Sequence, residues 1–267
     1  MRLYAFAVYL FLYLPIGVIA LFSFNAGRHA TQLTGFSLQW YGKALSNPFV
    51  IEALQTSFIV AFTSALLATI CGTLAAVALQ GVRGRLRLFY DALIYMAVMV
   101  PGIVIGIATL IALVTLFGVV NPALTGVFGQ AAPQLGLGKG SLIAAHGLFT
   151  MSLVIVTVRA RLQGMDRSLL EAASDLGAPP MRAFWQIVLP QIAPAVLAGF
   201  LLAFTFSFDD FVIAFFTAGS ETTLPIYVFS SIRRGVTPEI NAIGSLVLAA
   251  SLVMLVAAQL ILRKRGR

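Results

Sequence analysis

Two adjacent carboxylates, Asp209 and Asp210, stand inside an otherwise apolar run and are the residues best suited to chemistry with a charged solute. An ionised side chain at the centre of a bilayer costs about 2.5–3.5 kcal/mol, so such acids usually face an aqueous path or a partner. Phenylalanines 206, 208 and 211 flank the pair, and carboxylates beside aromatic rings hold ammonium groups by charge and by cation–π contact. The pattern predicts a site for a small cation.

The depth of the pair in its predicted span leaves other interpretations open. Asp209 lies 18 residues beyond Gln191, which at about 1.5 Å per residue places it about 27 Å along a helix, near the outer boundary. Successive helical residues also point about 100° apart, so at most one acid is expected to face a pathway. Helix pairing or gate structure, and plain solvation at the interface, are the alternatives to cation handling.

Other residue types exclude most further chemistry. The two histidines, His29 and His146, are too few and too far apart for a two-His metal motif, and Cys71 is the only cysteine, so no metal site is predicted. His146 falls in a predicted span, where it is expected either to form a hydrogen bond of about 1 kcal/mol between helices or to act directly in a solute pathway.

A nucleotide site is not predicted either. The segment GLGKGS contains the Gly-Lys pair of a P-loop. A P-loop also needs Gly at the position of Pro133 and Ser or Thr at the position of Gly140, and neither is present. We therefore expect no cofactor in this chain.

The segment EAASDLGAPPMRAFWQIVLP (171–190) is a polar stretch in an otherwise apolar chain, broken by one glycine and prolines. Ser168 and Glu171 fit a capping box, and Gly177 stands where a helix C-cap favours a left-handed residue. Pro179 and Pro180 stop the first helix, and Pro180 suits the start of a second at about 181–189. A helix, a glycine corner and a short helix would hold a fixed angle for docking a rigid partner; alternatively, Glu171 is only a capping acid.

The composition identifies the medium in which these elements fold. Of 267 residues, 60% are hydrophobic and 10% are charged, against about 25% charged in soluble domains, and the mean hydropathy is +0.99. A spanning helix needs about 20 apolar residues. An all-α integral membrane domain covering 1–267 is predicted, with spans at 3–24, 53–79, 90–117, 142–158, 191–216 and 242–262, and with Gly102 and Gly106 allowing a close helix approach in the third.

The basic residues orient these spans. With the N-terminus inside, twelve Lys and Arg residues fall on the inner side and five on the outer side, so both termini and the loop 159–190 are predicted to be cytoplasmic. The net charge of +8 is explained by this topology, and nucleic-acid binding is not expected. The outer loop 118–140, rich in Gly and Pro, is predicted to be irregular cover, and no loop has room for a catalytic domain.

The polar segment carries a family signature. Its spacing resembles the cytoplasmic EAA motif of permease subunits in binding-protein-dependent ATP-binding-cassette importers, matching at Glu171, Ala172, Ala173, Gly177, Ile187, Leu189 and Pro190. The resemblance implies the type I importer permease architecture, and a coupling helix that sits in a groove of a separate ATPase, with Glu171 facing a basic residue of that ATPase. The implied coupling residues are Glu171, Ala172, Ala173, Asp175, Leu176 and Gly177.

Further stretches are similar to one branch of this family, the spermidine/putrescine importer permeases. They include VPGIVIGIATLIAL (100–113), LAFTFSFDDFVIAFFTAG (202–219) and TTLPIYVFSSIRRGVTPEINA (222–242). The similarity implies a polyamine pathway in which Asp209, Asp210, Phe208 and His146 take part. The alternatives are the same architecture for an opine, an amino-acid derivative or ferric iron, a proton-coupled transporter using Asp209, Asp210 and His146 as a relay, and an integral membrane enzyme. The EAA spacing argues against the last two.

The resemblance also implies the partners. A second permease subunit making a heterodimer, two ATPase subunits carrying ATP and Mg, an external or periplasmic solute-binding protein and membrane lipid are expected. The chain itself would be a non-catalytic, multi-pass protein of the bacterial plasma (inner) membrane.

Overall fold

The computed structural model of the chain describes residues 1–28, 32–166 and 168–265. His29, Arg167 and Arg267, all used in the sequence analysis, lie outside them. Within the described residues there is no β-strand, only an isolated antiparallel bridge between Asn25 and Phe36. The helices, in chain order, are α1 (Arg2–Ser23), α2 (Gln39–Ser46), α3 (Pro48–Ala78), α4 (Gly84–Met99), α5 (Gly102–Phe128), α6 (Lys139–Gln163), α7 (Ser168–Asp175), α8 (Pro180–Ala183), a π-helical turn (Phe184–Val188), α9 (Leu189–Asp209), α10 (Val212–Thr217), α11 (Leu224–Arg234) and α12 (Pro238–Arg265).

In the described residues, five helical stretches are long and apolar enough to cross a membrane, and together they confirm an all-helical membrane protein. They are Tyr4–Ser23, Pro48–Ala78, Gly102–Phe128, Lys139–Gln163 and Pro180–Asp209. The sixth predicted span, 242–262, lies in α12, whose described apolar stretch, Pro238–Val253, is shorter than the others.

Three predicted boundaries were wrong, each for a local reason. The span 90–117 is broken, because Val100 precedes a proline and is extended (φ −68°, ψ 134°), and Pro101 is the N-cap of α5. The loop 118–140 is irregular only in its second half, since α5 continues to Phe128 through Pro122. The span 191–216 ends early, at Asp209, and begins early, at Pro180.

The chain forms two compact units with two boundaries along the chain: one, at Gln55 and Thr56, falls inside α3, and the other lies between Thr223 and Leu224. The first unit holds the two ends of the chain. In it α1 and α2 pack against α12, Trp40 donates from Nε1 to the Asn25 carbonyl at 2.7 Å, and Asn47 donates to Glu239 Oε1 at 3.0 Å. The side chains of α1 that the structure describes are mostly exposed, as expected for a helix in contact with lipid.

The second unit, Thr56–Thr223, holds both candidate sites and is built around α6. This helix packs against α4, α5, α9 and α10. Val154 of α6 is fully buried, and a Cβ at Gly72 of α3 or Gly199 of α9 would lie 3.0 Å or 3.3 Å from it. Small residues therefore bring three helices close together, which is how spanning helices pack without a hydrophobic driving force.

Candidate functional site

A break between α9 and α10 positions the two acids. Helix α9 ends at Asp209, and Asp210 adopts an extended conformation (φ −71°, ψ 121°) before α10 begins at Val212. Asp210 then accepts the backbone N–H of Ala214 on Oδ2 at 3.0 Å, which satisfies one of the free amides at the start of α10. The fifth predicted span is therefore discontinuous at the acids themselves.

The two carboxylates point in different directions, as expected for adjacent residues. Asp209 is exposed and lines an open cleft of about 290 Å³ with Thr205, Phe206 and one side of Asp210. The structure gives Asp209 no hydrogen bond or ion pair with any residue that it describes. Asp210 turns inward, and 17% of its side chain is exposed.

His146 lies behind Asp210 and joins three helices. Its side chain is 2% exposed, its Nδ1 is 2.7 Å from Ser207 Oγ, and its Nε2 is 3.7 Å from Asp210 Oδ2. Ser207 Oγ is also 3.0 Å from Ser64 Oγ of α3. Among the described residues Nε2 has no hydrogen-bond partner. The predicted hydrogen bond between helices is confirmed, and the burial of His146 places it behind the cleft.

The phenylalanines that flank the acids in sequence separate in space. Phe206 forms a wall of the cleft beside Asp209, and its ring centroid is 6.3 Å from that of Phe149. Phe208 instead stacks on Phe204, with centroids 5.8 Å apart and ring planes 20° apart. Of these two phenylalanines, Phe206 is the one that lines the cleft beside Asp209.

Close contact with α5 fixes the position of α10. A Cβ at Gly106 would lie 2.8 Å from Phe216 Cδ2 and 3.4 Å from the Val212 carbonyl oxygen, and one at Gly102 would lie 3.8 Å from the Val212 Cβ. The predicted close helix approach therefore exists, and its partner is the short helix that begins beside Asp210.

The second site is the polar segment at the other end of α9, and its first helix is capped differently from the prediction. The capping box was wrong: α7 begins at Ser168 itself, whose N–H donates to Asp166 Oδ1 at 2.9 Å. That hydrogen bond lowers the pKa of the Asp166 carboxyl. With the cap supplied by Asp166, the carboxylate of Glu171 is not used to close the helix end.

The glycine corner follows the prediction. Gly177 has φ +72°, its N–H donates to the Ser174 carbonyl at 2.9 Å, and the Ala178 N–H donates to the Ala173 carbonyl at 2.9 Å. These two bonds form the Schellman arrangement that ends a helix at a left-handed glycine. Pro179 and Pro180 then stand at the N-cap and N1 positions of α8.

Most of the expected coupling residues are exposed at this corner. Glu171, Ala172, Asp175, Leu176 and Gly177 face outward, whereas Ala173 is buried. Large apolar side chains lie exposed beside them: Leu176 is 87%, Met181 69% and Trp185 60% exposed. An apolar and acidic surface of this kind is typical of a site for another protein.

The helix after the corner is not a separate short helix, and the prediction of an independent helix at 181–189 was wrong. It continues through the π-helical turn into α9, so that Pro180–Asp209 is one helical stretch. Within the turn the Leu189 N–H donates to the Phe184 carbonyl, five residues back. The wider turn makes room for Pro190, whose ring would otherwise clash with a carbonyl one turn earlier.

Several contributing residues were not identified from the sequence. Ser64, Ser207 and Thr205 are ordinary polar residues within spans, where hydroxyls commonly bond their own backbone. The ion pair of Arg159 with Asp91 connects α6 to α4. Its two residues are 68 positions apart, so no local sequence pattern indicates it. The one sequence signal for Ser207 is its position in the Ser-Phe-Asp-Asp stretch, two residues before Asp209.

Comparison with known proteins gives a family and a fold. Residues 68–264 match the family described as binding-protein-dependent transport system inner membrane component. The chain is 39% identical over 264 residues to the spermidine/putrescine transport system permease protein PotC of Haemophilus influenzae, covering 98% of this chain and 96% of that one. It is 40% identical over 243 residues to the putrescine transport system permease protein PotI of Escherichia coli, covering 90% and 82%.

A solved structure shares the fold. In a bacterial ABC transporter involved in the import of the acidic polysaccharide alginate, one chain superposes with a TM-score of 0.76 at 17% identity, covering 100% of this chain and 95% of that one. At this identity the match concerns architecture alone.

Proposed function

The chain belongs to the family of binding-protein-dependent transport system inner membrane components, and we propose that it forms part of the pathway for putrescine, spermidine or a related small cation. As a member of this family it is a multi-pass protein of the bacterial inner membrane. It is a non-catalytic permease component, and ATP is hydrolysed by a separate subunit.

The observation that carries the solute assignment is the carboxylate of Asp209. It lies in an open cleft beside an aromatic ring, and no described residue neutralises it. A carboxylate kept at the end of an apolar helix without a cationic partner is suited to a cation that arrives from outside the chain. The polyamine substrates named for the PotC and PotI relatives have this charge.

The continuous helix Pro180–Asp209 supports a mechanism for coupling. It holds 30 residues, about 45 Å at 1.5 Å per residue, and runs from the exposed glycine corner to the acids. In the proposed mechanism the ATPase binds Glu171, Ala172, Asp175, Leu176 and Gly177 on α7 and at the corner, with Ala173 packed beneath them. Closure of the ATPase displaces α7, and the helix carries that displacement to the break where Asp209 and Asp210 lie.

The remaining parts of the assembly follow from the family. We propose a type I permease topology with α12 as the sixth span and both termini in the cytoplasm. A second permease subunit, two ATPase subunits holding ATP and Mg, and an external solute-binding protein complete the importer. His146 and Phe208 belong to the same site, His146 by orienting Asp210 and Phe208 by stacking on Phe204, whose ring packs edge-on against Phe58 of α3.

The test is uptake of radiolabelled putrescine by the complete transporter carrying Asp209→Asn. Hydrogen bonds to charged groups contribute about 1.5–3 kcal/mol, so uptake at low solute concentration should fall by about tenfold to a hundredfold. Glu52→Gln, which removes another exposed acid, is the matched control and should leave uptake unchanged.

Two outcomes would contradict the assignment. Normal uptake by both Asp209→Asn and Asp210→Asn, with intact assembly, would remove the acids from the pathway. A partner binding protein that retained an opine, an amino-acid derivative or ferric iron, and no polyamine, would replace the solute.

A further inference from the structure

A second groove adjoins the cleft that holds Asp209 and shares Phe206 with it. This groove has a volume of about 160 Å³, and its lining is almost entirely apolar. Helix α6 forms its floor, and α4 and α9 form its two walls. The lining residues are Tyr95, Val98, Leu153, Val156, Thr157, Leu202 and Phe206.

The groove follows the side of α9 that carries Asp209. Leu202, Phe206 and Asp209 are spaced by four and three residues, which places them one above another on one helix face. From Asp209 to Leu202 the helix rises about 10 Å. An extended molecule with one end at the carboxylate would therefore lie along this face, on the side of Asp209 nearer the coupling corner.

The walls of the groove are held in place. The ion pair between Arg159 of α6 and Asp91 fixes α4 against the floor, and Arg87 lies 3.8 Å from the same carboxylate. The hydroxyls of Thr157 and Thr205 donate hydrogen bonds to the backbone carbonyls of Leu153 and Leu201, each at 2.8 Å. The Thr157 hydroxyl is therefore bonded within its own helix, and the surface of the groove stays apolar.

The order of these features matches one kind of solute. Along the cleft and the groove, the carboxylate of Asp209 comes first and the ring of Phe206 second. The apolar lining of the groove follows, with a second aromatic ring in Tyr95. A linear diamine or polyamine presents the same order, an ammonium group followed by methylenes. The apolar stretch alone would fit lipid or another helix, but the adjoining free carboxylate favours an aliphatic chain with a cationic end.

We propose that the groove of Tyr95, Val98, Leu202 and Phe206 binds the polymethylene segment of the solute while its leading ammonium group contacts Asp209. This proposal rests on the proposed function and assigns chain-length selectivity to the permease as well as to the external binding protein. Burial of one methylene increases affinity by about fourfold, so the affinity for linear diamines should rise with their length until the groove is filled.

The experiment measures uptake of linear diamines of increasing methylene number by the complete transporter with one unchanged binding protein. Because that protein is the same throughout, a change in the length profile between variants reports on the permease. Leu202→Ala shortens one wall, and Val98→Thr adds a hydroxyl to the other at constant volume. Both should flatten the length profile, by up to about fourfold for each methylene no longer covered. Leu148→Ala, on an exposed α6 leucine outside the groove, should keep the wild-type profile.

Each other outcome has a definite meaning. An unchanged length profile in both groove variants, with uptake still lost in Asp209→Asn, overturns this proposal and leaves the proposed function standing. An unchanged profile together with normal uptake in both Asp209→Asn and Asp210→Asn overturns this proposal and the proposed function. Loss of the second permease subunit from purified Leu202→Ala complexes would identify the groove as a subunit interface and overturn the proposal.

Discussion

His146 Nε2 lies 3.7 Å from Asp210 Oδ2 in the interior of the helix bundle, and this contact distinguishes Asp210 from the adjacent Asp209. The Asp210 carboxylate faces the imidazole and accepts a hydrogen bond from the start of α10, so its contacts are within the protein. Asp209, one residue earlier, is left facing the cleft without a partner among the described residues. In the proposed site the imidazole is a positioning group, because its Nδ1 contacts Ser207 and its Nε2 faces Asp210.

Two substitutions separate the contacts of that ring. The amide of asparagine reaches roughly the position of Nδ1, and the amide of glutamine reaches that of Nε2. His146→Gln should lose the bond to Ser207 and about 0.6 kcal/mol of stability, with an upper bound near 1.7. His146→Asn should keep that bond and stability, yet lower uptake more, because Asp210 loses its neighbour. Unfolding in detergent and uptake by the intact transporter test this, and equal losses of both properties in the two variants would contradict it.

At the scale of elements, the proposed coupling corner depends on one backbone conformation. Gly177 has φ +72°, and a Cβ built there meets no atom within 4 Å. Gly177→Ala should therefore act through backbone strain alone, about 1–2 kcal/mol, and should weaken binding of the ATPase by about tenfold. Gly164→Ala is the matched control, since Gly164 ends α6 at φ −91° and should tolerate alanine. Equal affinity of the ATPase for the two variants in a pull-down titration would show that the left-handed corner is not required.

The same elements show what the sequence was able to predict. The Gly177 corner and the helix start at Pro180 were predicted because the chemistry of a few adjacent residues decides them. The break at Asp210 was not, since no proline or glycine marks it; it depends on His146, 64 residues away in the chain, and on α5 packing against α10. Continuity past Pro190 was missed because a proline that usually starts a helix is accommodated here by a π-helical turn.

For the molecule as a whole, the two sites lie at opposite ends of one helical stretch. Asp209 ends α9, and the corner at Gly177 precedes Pro180 by three residues, so in the proposed mechanism a displacement of the corner acts along the whole helix. In the π-helical turn at Phe184–Val188, along this stretch, the backbone hydrogen bonds span five residues instead of four. Such turns often mark functional positions in helices, and this one lies between the proposed docking surface and the proposed pathway.

Reversal of charge at Glu171 tests whether this surface receives the ATPase. The carboxylate is exposed on α7, and the cap of that helix is made by Asp166, so Glu171→Lys should leave α7 folded while placing a lysine opposite the basic residue expected on the ATPase. Like charges across an interface cost several kcal/mol, so ATPase affinity should fall by about a hundredfold or more and ATP-driven uptake should be lost. Glu52→Lys makes the same reversal on an exposed acid of α3 far along the chain, and it should retain the ATPase. Co-purification of the ATPase and uptake of putrescine measure the two effects. If Glu171→Lys kept both at the level of Glu52→Lys, the ATPase would have to bind elsewhere, and the helix Pro180–Asp209 would lose its part in coupling.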